Sequence, residues 1–80
     1  METMRLLLEF KNAEGWRYQV MHLESQGRVQ IWYKQPGYGW ELGHGRDVPM
    51  GGKPIDVAKA MQRFVFGELN HNEYQDLLPV

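Results

Sequence analysis

The stretch Arg28-Val-Gln-Ile-Trp-Tyr-Lys-Gln-Pro-Gly-Tyr-Gly-Trp-Glu-Leu42 decides the fold. Val29, Ile31 and Tyr33 occupy every second position, the period of a strand with one buried face. Arg28, Gln30, Trp32 and Lys34 fall on the opposite face. Gln35-Pro36-Gly37-Tyr38 fits a type II turn, because proline presets φ at the first central position and glycine supplies a positive φ at the second. Tyr38, Trp40 and Leu42 then alternate again, predicting a strand over 38–42 that folds back on 28–34 as a hairpin.

Working outward, residues 4–11 alternate with Met4, Leu6, Leu8 and Phe10 on one face, and Arg5, Leu7, Glu9 and Lys11 on the other. Asn12-Ala13-Glu14-Gly15 supplies turn residues. A second strand over 16–24 has Trp16, Tyr18 and Val20 on one face, but Met21 and Leu23 on the other. Either a bulge near Val20–Met21 shifts the register, or both faces are partly buried. Ser25-Gln26-Gly27 closes the next hairpin.

Residues 43–53 hold four glycines and a proline with no periodicity, which predicts a long loop of the kind that often carries function. A helix over about 54–66 follows. Pro54 stands in its first turn, Asp56 meets the positive end of the dipole, and Val57, Ala58, Met61, Phe64 and Val65 form one apolar face. Gly67 suits the position after its end. Asn70 with Glu73 resembles a capping box, opening a short helix over about 71–78 whose Tyr74, Leu77 and Leu78 form an apolar stripe. The expectation is a single α+β domain: a four-stranded antiparallel β-meander, one amphipathic helix packed on one face, and a short C-terminal helix.

An 80-residue chain with ten aromatics can assemble one core, and its lack of cysteine excludes disulfides and thiolate metal sites. Nine Lys/Arg against ten Asp/Glu exclude the lopsided charge of a typical nucleic-acid binder. The surplus is local, since residues 67–80 carry Glu68, Glu73 and Asp76 with no Lys or Arg. The run Leu6-Leu7-Leu8 is too short for a membrane span or signal core, so a soluble, cytoplasmic protein with no membrane partner is expected. His22, His44 and His71 have no metal-ligand spacing, and neither a metal nor another cofactor is expected.

If the helix covers one sheet face, the other carries Trp32 and Leu7 among Arg28, Lys34 and other charges, the composition of a binding surface with a charged rim. The loop adds His44 and Arg46, which read better as binding residues than as catalysts, because no catalytic motif surrounds them. The expected function is therefore a non-enzymatic protein-binding module acting through Trp32, Arg28, Lys34, Leu7, Arg46 and His44. Its partner is another protein or a second copy of itself. The alternative is a nucleic-acid-binding sheet face using Arg17, Arg28, Trp32 and Lys34, with Lys59 and Arg63 of the helix. The layout is loosely similar to the three-stranded DNA-binding domains of phage integrases and plant transcription factors. It is also similar to small antitoxin domains and phage inhibitor proteins. The likeness is one of layout with no shared motif, and it implies a small regulator or inhibitor from a phage or mobile element.

Overall fold

In the computed structural model, which describes residues 3–77, four antiparallel strands form one sheet in chain order. They are β1 (Met4–Lys11), β2 (Arg17–Leu23), β3 (Arg28–Lys34) and β4 (Trp40–Asp47). Helices α1 (Pro54–Val65) and α2 (His71–Leu77) follow. This is the α+β meander that the alternation patterns predict. The central turn has its expected geometry: Tyr38 N–H donates to the Gln35 carbonyl at 3.0 Å, and Gly37 has φ 82°. At the β1–β2 turn the Asn12 side-chain oxygen accepts from the backbone N–H groups of Glu14 and Trp16, both at 3.0 Å.

Helix α1 lies across the face presented by Tyr18, Val20, Val29 and Ile31. Val57, Ala58, Ala60 and Met61 are buried against them, while Asp56, Lys59 and Arg63 are exposed. Each fully buried Val or Met side chain contributes roughly 1.5–3 kcal/mol of transfer free energy. Stacked rings extend this core. Phe10 lies on Tyr18 with centroids 5.0 Å apart, Trp16 on Tyr33 at 5.9 Å, and Phe64 on Tyr74 at 4.4 Å.

The end of α1 is a Schellman motif. Glu68 N–H reaches the Arg63 carbonyl at 2.9 Å and Gly67 N–H the Phe64 carbonyl at 3.1 Å, with Gly67 at φ 75°. The capping box opening α2 is reciprocal: Glu73 N–H donates to Asn70 Oδ1 at 2.8 Å, and Asn70 N–H to Glu73 Oε1 at 2.9 Å. Asn70→Ala removes one half of the box and is expected to destabilise the α2 region by about 1 kcal/mol. Faster amide hydrogen exchange in 71–77, with α1 unchanged, is the readout. Tyr74 is buried, so α2 caps the core as its stripe implies, while the side chains of Leu77 and Leu78 lie outside the described residues.

Two irregularities correct the sequence reading. Strand β4 runs on to Asp47, so the loop expected over 43–53 shrinks to 48–53. The cause is a register shift opposite Ile31/Trp32: Trp32 faces Leu42 and Ile31 faces His44, leaving Gly43 as the extra residue. Added at Gly43, a Cβ would lie 3.1 Å from the Ile31 carbonyl oxygen, so the ladder closes best on a residue without a side chain. The second shift lies in β1 between Leu6 and Leu8, opposite Met21 and Val20. Strand β2 itself alternates without interruption, and both of its faces are partly buried.

Candidate functional site

The β1 bulge separates residues that simple alternation would keep together. Leu8 and Phe10 pair with Val20 and Tyr18 on the helix-covered face. Leu6 pairs instead with Met21 and Met4 with Leu23, on the face without a helix. Leu7 packs against the core cluster, so it does not stand beside Trp32 on the open face as simple alternation requires. The β4 bulge acts the same way at the other edge. It turns His44 and Arg46 to the helix-covered face, whereas ahead of it Leu42 stands opposite Trp32 and Trp40 opposite Lys34 on the open face.

The open face therefore carries more apolar surface than sequence alternation alone assigns to it. Met4 (45% exposed), Leu6 (50%), Trp40 (37%) and Leu42 (48%) join the half-buried Met21 and Trp32. Met4, Gln19, Met21, Trp32 and Trp40 line a shallow groove of about 240 Å³. Gln30 Oε1 accepts from Trp32 Nε1 at 3.2 Å, which fixes the indole edge. The guanidinium of Arg17 sits 5.4 Å from the Trp40 ring centroid and 3.7 Å from Glu9 Oε2, an oxygen that also accepts from Gln19 Nε2 at 2.6 Å. At the far end Arg28 Nη1 pairs with Asp47 at 2.9 Å. Scattered exposed apolar residues are ordinary, but a contiguous patch with two tryptophans, two methionines and a polar rim is the makeup of a recognition surface.

Of the residues singled out from sequence, Trp32, Arg28 and Lys34 share this face, and so does Arg17. His44 and Arg46 do not. They lie on β4 opposite Ile31 and Val29, facing the helices, so neither belongs to a loop. His44 Nε2 and the Tyr74 hydroxyl are 3.0 Å apart, while Arg46 Nη1 donates to the Tyr74 carbonyl at 2.9 Å and its guanidinium lies 4.5 Å from the Tyr74 ring centroid. These two residues moor α2 to the sheet, beside a cleft of about 470 Å³ shared with Phe64 and His71. Lys59 and Arg63 are on the outer side of α1, across the molecule from Trp32, and Arg63 is 3.7 Å from Glu68. The six-residue basic surface of the nucleic-acid alternative is thus split between opposite sides of the domain.

Burial raises the Tyr74 phenol, so it keeps its proton in the 3.0 Å contact with His44 Nε2, whose direction follows the imidazole tautomer. Burial and then Arg46 lower the His44 imidazole, so this contact belongs to the neutral ring. The folded state therefore binds a His44 proton less readily than the unfolded chain. Stability is expected to be fully present above about pH 6.5 and to fall as pH drops from there through the lowered folded-state value. Urea melts of wild type and His44→Gln across pH 5–8 check this, because the variant should lack that share of the decline.

The sequence pattern of one family, described as Mycobacterium phage L5 gene 74 protein, matches residues 8–80. The chain belongs to this phage family. No curated protein and no solved structure matches it. The match runs from within β1 through all later elements, so the phage family's pattern takes in Met21, Trp32, Trp40 and Leu42 of the open face but not Met4 or Leu6. Among the described residues, no group of three or more His, Asp or Glu is arranged to hold a metal, and no helix is long and apolar enough to cross a membrane.

Proposed function

We propose that this phage-family chain is a small, non-enzymatic docking module, a regulator or inhibitor that binds a protein partner through its open sheet face. The observation carrying the reading is the contiguous groove of Met4, Met21, Trp32 and Trp40 on the side that no helix covers. Trp32 is the anchor, its indole N–H held by Gln30, and Leu6 and Leu42 widen the contact. Arg28 and Lys34 stand at opposite ends of β3 as charged rim. His44 and Arg46 serve the fold, since both are committed to Tyr74.

A photo-crosslinking residue at position 42, compared with one at position 59 on the outer helix surface, tests the reading in phage-host cells. Discrete protein adducts from position 42 and none from position 59 support it, whereas equal patterns from both contradict it. A nucleic-acid reading draws support from the Arg17 guanidinium stacked on an exposed Trp40, an arrangement on which a base could also stack. It predicts binding of single-stranded DNA that weakens steeply with salt.

A further inference from the structure

Three cations form a row across the open face. Lys11 lies directly opposite Arg17, and Arg17 directly opposite Lys34. Trp40, opposite Lys34, ends the row at the outer edge of the sheet. Like charges in directly opposed cross-strand positions destabilise a sheet, and here two such pairs are consecutive. Glu9 relieves Arg17, at 3.7 Å. Among the described residues no carboxylate lies within ion-pair distance of Lys11 or Lys34. The opposite end of the face is different, because Arg28 has Asp47 at 2.9 Å. The uncompensated charge is therefore concentrated beside Trp40 and the groove.

We infer that the partner carries acidic side chains next to its inserted apolar residue, and that these pair with the Lys11–Arg17–Lys34 row. The inference rests on the docking reading above and specifies the chemistry of the partner. An amphipathic helix with an apolar stripe flanked by glutamates fits, because its stripe fills the apolar groove while its carboxylates meet the cations. Nucleic acid is the less favoured source of negative charge. The groove lining is mainly thioether and indole, with no cation of its own to hold a phosphate.

The row makes the free domain carry a repulsion that binding relieves. Lys11→Gln/Lys34→Gln should therefore raise the thermal midpoint of the free protein and weaken recognition of an acidic surface. The binding probe is a labelled helical peptide with a Leu/Phe stripe flanked by Glu, compared with its Gln-flanked counterpart and an oligo-dT strand. Wild type should bind the Glu peptide about tenfold more tightly than the Gln peptide, an advantage that salt reduces and the double variant abolishes. Equal binding of the two peptides overturns the inference, and so do tighter binding of oligo-dT, binding of neither peptide, or a double variant with an unchanged or lower midpoint. If both peptides bind wild type equally and Trp32→Ala loses both, the docking face stands and only the acidic partner falls.

Discussion

Trp32→Ala is expected to leave the domain folded while weakening partner binding by thirtyfold or more. The two halves of this expectation come from where the indole sits. Its strand neighbours Ile31 and Tyr33 point to the helix-covered face, and Trp32 points away from it with part of its surface in contact with water. Truncation therefore removes a partly buried side chain and one hydrogen bond to Gln30, a loss of about 1–2 kcal/mol to stability. In a complex the same indole would be fully desolvated at the centre of the apolar patch. Such anchors cost about 2 kcal/mol or more when truncated, which is roughly thirtyfold in affinity. Circular dichroism and urea melts check the fold, and titration against the protein crosslinked at position 42 checks the affinity. Unfolding of the variant would instead make Trp32 a core residue.

Met61→Ala should do the opposite and act entirely through stability. Met61 is 0% exposed and sits with Val20, Val29 and Val57 where α1 meets the sheet. Removing a buried side chain of this size costs about 2–5 kcal/mol, part lost transfer energy and part residual cavity. A domain of this length has about 4–12 kcal/mol in total, at 0.05–0.15 kcal/mol per residue. The variant should lose a large share of its cooperative melt. A wild-type midpoint in urea would contradict the placement of α1.

The meander, the turns at 12–15 and 35–38, the capping box and the apolar face of α1 were all legible in the sequence. Each rests on local rules, such as period-two alternation, proline followed by glycine, or asparagine three residues before glutamate. The faces of the edge strands were less legible. Leu6-Leu7-Leu8 offers three equivalent apolar residues, so nothing in the side chains marks where register slips. Only pairing with β2 decides that Leu7 turns to the core while Met4 and Leu6 turn away from it.

Gly43 hid the continuation of β4 for a related reason. A glycine-rich run reads as a loop, yet one glycine is the bulge and the next alternates with His44 and Arg46 along a strand. The available signal was the pair His44 and Arg46, two positions apart and thus on one strand face. Their target, Tyr74, lies 28 residues or more along the chain, beyond what local pattern can connect. Trp40 takes its face from its pairing with Lys34 beside the 35–38 turn, ahead of the bulge.

The most direct measurement of the central claim uses the methionines as reporters on different sides of the molecule. Met4 and Met21 line the groove, Met61 is in the core, and Met50 is fully exposed in the loop that precedes α1. With 13C-labelled methionine methyl groups, adding the partner captured at position 42 should shift Met4 and Met21 while Met50 and Met61 stay in place. A shift confined to Met50, with the groove methyls unchanged, would contradict docking on the open face.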